Sequence, residues 1–145
     1  MRAALTPEAA AAWLTRYGAA WTSGDVAAIG DLFTAEATYR ETPFAPALSG
    51  RGAIEGYWAE GARDAQTDVR FDFTVWAVDG DVCLTHWTAA FTRVPWGQRV
   101  RLDGVFRLVF DSTDPDAPRC RHLQEWWHRD ERRDGAIPPT PSGAG

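Results

Sequence analysis

The stretch 69–110 reads VRFDFTVWAVDGDVCLTHWTAAFTRVPWGQRVRLDGVFRLVF, and it decides the fold class. Valine, threonine and aromatic residues dominate it, with the apolar/polar alternation of half-buried strands. Asp79-Gly80 is a strong hairpin signal, and Pro95-Trp96-Gly97 marks a second reversal. Three long antiparallel strands follow, at about 69–78, 82–94 and 100–110. After a polar loop at 111–118, another strand is expected over 119–128.

The turns set a register. A two-residue turn at Asp79-Gly80 places Trp76 opposite Cys83 and Asp72 opposite Trp87. A turn centred on Trp96-Gly97 places Trp87 opposite Phe106 and Phe91 opposite Leu102. Alternation then predicts one face with Trp76, Thr85, Trp87, Phe91, Leu102, Phe106 and Leu108. The other carries Phe71, Phe73, Val75, Leu84, His86, Asp103, Val105 and Arg107. The first is richer in large aromatics and should meet the helices. The second, half apolar and half charged, suits a subunit interface.

Upstream, the pattern is helical. Thr6 can cap, Pro7 fits the first helical position, and Glu8 favours the positive helix start. Ala10, Trp13, Leu14, Tyr17, Ala20 and Trp21 then recur at helical spacing. Ser23-Gly24-Asp25 ends this helix and caps a second one carrying Val26, Ile29, Leu32 and Phe33. A short strand at 37–41 leads to a proline-bearing loop, and a third helix opens at Ser49-Gly50 with Ile54, Tyr57 and Trp58 on its inner side.

The chain has 145 residues, enough for a single core-bearing domain, expected over 1–129. Residues 130–145 are charged and then rich in proline and glycine, the composition of a disordered tail. The absence of lysine and asparagine suggests a GC-rich bacterial genome. Without lysine, Schiff-base, lysine-base and P-loop chemistry are excluded. A net charge of -5 argues against nucleic-acid binding, and no apolar run is long enough to cross a membrane. Cys83 and Cys120 lack metal-site or disulfide spacing and read as buried thiols in a reducing cytoplasm. His86, His122 and His128 show no diagnostic metal spacing, so neither a metal nor another cofactor is expected.

Several segments together resemble one family. They are Tyr17 with Trp21-Thr22-Ser23-Gly24-Asp25, Leu32-Phe33 through Thr38-Tyr39, Pro43-Phe44, Gly50-Arg51-Gly52-Ala53-Ile54 with Tyr57-Trp58, Thr85-His86-Trp87-Thr88, Asp103-Gly104-Val105-Phe106 and Glu125-Trp126-Trp127-His128. Over roughly 7–129 the sequence resembles the SnoaL-like branch of the nuclear transport factor 2-like superfamily, which includes ketosteroid isomerase-like and polyketide cyclase-like proteins. The resemblance implies an α+β cone, with three N-terminal helices packed on a strongly curved, mainly antiparallel sheet. It also implies a pocket lined by Trp21, Tyr39, Trp58, Trp87, Phe106 and Trp126.

By the same resemblance, His128, Glu41 and Tyr17 are the candidate catalytic residues: a proton exchanger, a carboxylate base and a hydroxyl donor. Structural roles compete with each: a rim histidine, a loop-capping carboxylate and a core tyrosine. Asp103 and Arg107 could echo an epoxide hydrolase-like set, but the register aims both outward. The expected function is binding of a flat or hydrophobic small molecule, with cofactor-independent isomerase, cyclase or dehydratase-like chemistry. The rival is a non-catalytic ligand-binding or dimeric association domain working through its outer sheet face. A homodimer is expected in either case.

Overall fold

The computed structural model describes residues 4–114 and 116–133. Helix α1 (Pro7–Ser23) begins where Thr6 Oγ1 accepts from the Ala9 amide at 3.1 Å. It ends at Gly24, whose φ of 68° is the left-handed C-cap geometry that glycine adopts without strain. Asp25 then caps the short helix α2 (Val26–Asp31), accepting from the Ala28 amide at 3.0 Å. Strand β1 (Phe33–Arg40) starts earlier than its sequence suggests, so Phe33 belongs to the sheet and not to α2. The two-residue strand β2 (Leu48–Ser49) and helix α3 (Arg51–Trp58) follow, and α3 runs into a π-helical turn (Ala59–Arg63).

Four long strands complete the fold: β3 (Gln66–Asp79), β4 (Val82–Arg93), β5 (Gln98–Asp111) and β6 (Arg119–Arg133). The sheet order is β2-β1-β6-β5-β4-β3. All neighbours are antiparallel except β1 and β6. This is the α+β cone, with helices packed on one face of a large, mostly antiparallel sheet. β6 continues through Arg133, past the expected boundary at 129, while the tail from 134 onward lies outside the described residues.

The inner core joins α1 to the sheet through aromatic contacts. Trp13 and Tyr17 stack with ring centroids 5.3 Å apart. The Trp13 indole also donates to the Leu32 carbonyl at 2.9 Å, which pins α1 to the start of the sheet. On β4 and β5 the expected inner face holds: Thr85, Trp87, Ala89, Phe91, Phe106 and Leu108 are all buried. The pairing itself differs, because Trp87 opposes Gly104 and not Phe106. A shift of two residues preserves side-chain parity, so the faces survive the error.

On β3 the expected face is reversed. The hairpin pairs Asp79 with Val82, so Gly80 and Asp81 form the turn, and a bulge at Trp76 shifts the register again. Together these displace the pairing by an odd number of residues below the bulge. Phe71, Phe73 and Val75 therefore pack against the core, and Trp76 stands outside at 59% exposure. There it stacks on His86, with centroids 5.3 Å apart.

Candidate functional site

Helix α1 presents Tyr17 and Trp21 on one face, four residues and about one turn apart. They lean toward Tyr39 and Glu41 at the end of β1, Tyr57 and Trp58 on α3, Trp87 on β4, and Glu125 and Trp127 on β6. With Gly61, Ala62, Gln66 and Leu102, these side chains line a cavity of about 80 Å³. By liquid volume this is the space of about three waters, which suits a compact ligand better than a polycyclic one.

The wall is built from interlocking rings. Trp58 stands edge-on to Tyr17 at 5.5 Å and to Trp21 at 5.1 Å. The Trp21 indole donates to Gln66 Oε1 at 2.7 Å. The Trp58 and Trp87 indole nitrogens are buried and have no hydrogen-bond partner among the described residues. Phe106 does not border the space. It supports the wall from behind, stacked on Trp87 at 4.9 Å and meeting Tyr17 edge-on at 5.5 Å.

The polar groups are concentrated at one end. Tyr57 donates its hydroxyl proton to Glu41 Oε2. The Tyr17 and Tyr39 hydroxyls lie 3.5 Å apart. Glu125 is 6% exposed and pairs across the sheet with Phe106. Burial pushes its carboxyl up to about 8, with a further push from the negative charge of Glu41. Hydrogen bonding from the Trp127 and Tyr39 side chains opposes that shift without cancelling it. Burial and the Glu125 charge hold Tyr17, Tyr39 and Tyr57 well above the usual phenol range, so all three remain hydroxyl donors.

Of the residues singled out from sequence, Tyr17, Trp21, Tyr39, Glu41, Trp58 and Trp87 meet at this cavity. Trp126 and His128 do not. Inner positions on β6 must match those of β5, and Gly104 and Phe106 oppose Trp127 and Glu125. That parity turns Trp126 and His128 to the other face, where Trp126 is 47% exposed. His128 instead borders an open groove of about 520 Å³ with Arg70, Asp72, Arg101 and Asp103. The groove is larger but open, and several of its charges pair across it, as in the 2.5 Å bridge between Arg101 and Asp130. The small cavity encloses a carboxyl that burial shifts upward.

Sequence reasoning missed Glu125, Tyr57 and Trp127. The signal for β6 was Leu123, an apolar residue whose parity carries 125 and 127 inward.

Among the described residues, no group of three His, Cys, Asp or Glu side chains could hold a metal. His122 meets Thr38 Oγ1 at 2.5 Å, away from the cavity. Cys83 and Cys120 are buried free thiols, and burial pushes Cys120 up to about 12. Among the described residues, no helix is long and apolar enough to cross a membrane.

The fold has known counterparts. A crystal structure of a hexachlorocyclohexane dehydrochlorinase (LinA, type 2) superposes with a TM-score of 0.73 at 10% identity, covering 94% of this chain and 93% of that one. A ketosteroid isomerase-like protein from Catenulispora acidiphila, in complex with trimethylamine, gives 0.67 at 21% identity over 83% of this chain and 85% of its own. The epoxide hydrolase/cyclase-like enzyme SalBIII, which acts in pyran ring formation in the polyether salinomycin, gives 0.67 at 21% identity over 81% and 88%. No curated protein matches the sequence. The model of the SnoaL-like domain matches residues 14–114, so the chain belongs to the SnoaL-like domain family, within the nuclear transport factor 2-like superfamily.

Proposed function

We propose that the cavity is a cofactor-independent acid–base site for a compact small molecule, with Glu125 as the proton-exchanging group. The observation that carries this reading is a buried carboxyl that titrates at about 8 beside a second carboxylate inside an enclosed aromatic space. At neutral pH Glu125 holds its proton, and a modest change in surroundings releases it. Glu41, with one oxygen fixed by Tyr57, supplies the second carboxylate. The Tyr17 and Tyr39 hydroxyls are donors for a substrate oxygen that gains charge. The reaction class is proton transfer at carbon, in an isomerisation or elimination. The neighbour solved with trimethylamine supports a ligand of this small size.

The test is exchange of carbon-bound protons for deuterium, followed by nuclear magnetic resonance. The panel consists of compact ketones and amino ketones in heavy water. Exchange above the buffer rate is expected with the native chain and should be lost in Glu125→Gln, whose fold is checked by circular dichroism. Equal exchange in the variant, or none across the panel, overturns the reading.

A second reading concerns the outer sheet face. Trp76, Leu84 and Trp126 are exposed there beside Val105, and His86 meets Asp103 at 2.9 Å. An apolar strip flanked by paired charges suits association of two copies of the chain. Sedimentation tests it: a strict monomer at high concentration removes this reading and leaves the cavity untouched.

A further inference from the structure

The cavity is unusual for what its lining lacks. Among its described lining residues there is no arginine, lysine or histidine. Two are carboxyl-bearing, Glu41 and Glu125, and most of the remainder are aromatic. The indole nitrogens of Trp58 and Trp87 have essentially no accessible area. Neither therefore offers the space a donor. The space is bordered mainly by aromatic rings, with the carboxyls of Glu41 and Glu125, the neutral hydroxyls of Tyr17, Tyr39 and Tyr57 and the Gln66 amide as its polar lining. Aromatic faces carry negative quadrupole charge and attract cations, most strongly where water is excluded. Both features therefore favour positive charge.

We propose that this cavity receives a compact alkylammonium group, enclosed by Trp21, Trp58, Trp127 and Tyr57 and facing the carboxyls of Glu41 and Glu125. About 80 Å³ is roughly the bulk of three liquid waters, so a group of tetramethylammonium size fills the space and extends beyond it, which sets an upper limit on the ligand. This proposal rests on the reading of the cavity as the binding site and adds its substrate class.

Arrival of a cation has a consequence at Glu125. The groups facing it are Glu41 at the end of β1, Tyr39 on β1, Tyr17 on α1 and Tyr57 on α3, with Trp127 beside it on β6. None of them is positively charged. An ammonium would be the first cation in that environment and would favour the ionised carboxyl. Binding at neutral pH should therefore release a proton to solvent and convert Glu125 from an acid into a base. The balance is simple: one cation enters, and one proton leaves the Glu125 oxygen.

The experiment uses the full chain with tetramethylammonium chloride and, as a neutral probe of similar bulk, tert-butanol. Binding is read by tryptophan fluorescence and by calorimetry in two buffers of different ionisation enthalpy. Tetramethylammonium is expected to bind at least about tenfold more tightly than tert-butanol and to release a proton at pH 7. Its affinity should rise about tenfold from pH 7 to pH 9, as the ionised fraction of Glu125 grows. Glu125→Gln, its fold checked by circular dichroism, should abolish that rise. If tert-butanol binds as well as the cation, the ammonium proposal is overturned and the cavity reading stands. If neither probe binds, both are overturned. A cation affinity that does not change with pH overturns the assignment of the charge to Glu125.

Discussion

Gly104 on β5 and Trp127 on β6 face each other so closely that a Cβ on Gly104 would lie 2.9 Å from the Trp127 Cβ and 2.5 Å from the Trp126 carbonyl oxygen. Trp87 closes the third side, with a ring carbon at 2.8 Å. The missing side chain is what lets Trp87 and Trp127 converge on the cavity.

Gly104→Ala should therefore destabilise the fold by roughly 1–3 kcal/mol, since backbone on β6 must move. Thermal melting should fall by several degrees. Gly56→Ala is the control. Its Cβ would meet nothing within 4 Å, and its place in α3 predicts a gain of roughly 0.5–1 kcal/mol. Equal melting points for the two variants would contradict the packing described for the β5–β6 pair.

Glu125 makes stability depend on pH with a definite sign. Its folded value of about 8 lies above the ordinary carboxyl value, so the folded chain binds more protons than the unfolded chain between those limits. Stability should then fall as pH rises from about 5 to about 8, by an amount on the order of a few kcal/mol, discounted for coupling to Glu41. Urea midpoints for the native chain and Glu125→Gln should diverge as pH rises. Above pH 8 the variant should be the more stable of the two.

Part of the Glu125 shift is assigned to the charge on Glu41. Glu41→Gln should accordingly lower the Glu125 titration midpoint below about 8, without returning it to the ordinary value, because burial is the larger cause. Carbon-detected titration of the glutamate side chains reads this directly. An unchanged midpoint would mean that Glu41 does not act on Glu125.

Trp126→Glu should leave the stability within roughly 0.5 kcal/mol of the native chain, because that ring is already half exposed on the outer face. If that face joins two copies, the same change should shift sedimentation toward the monomer.

Most of the fold was legible because its signals are local. Thr6, Gly24 and Asp25 punctuate the helices by capping chemistry that depends on no distant residue. The faces of β4 and β5 were legible because alternation survives a register error of two. β3 was not, since a bulge at Trp76 is set by packing against β4 and leaves no mark in composition. Tyr17, Trp21, Tyr39, Glu41, Trp58 and Trp87 could be gathered from the sequence through the family resemblance. Glu125 could not. Following Leu123 inward places a carboxylate in an apolar interior, a conflict between local chemistry and global position that reads as an error until the cavity is seen. The adjacent Trp126 and Trp127 gave no help, since two identical aromatics in succession leave the parity undecided.

The one parallel pairing in the sheet carries a consequence for how the chain is made. Thr38 on β1 meets His122 on β6 across 84 residues of sequence, so the first strand waits for the last. Loop closure over such a span is slow and late. During synthesis the strand bearing Glu125 is the last of the sheet to emerge, and until it docks the carboxyl remains in water and ionised. Docking at neutral pH takes a proton from solvent. Completion of the sheet should therefore be coupled to proton uptake at Glu125, and an alkaline surrounding should weaken that last docking step.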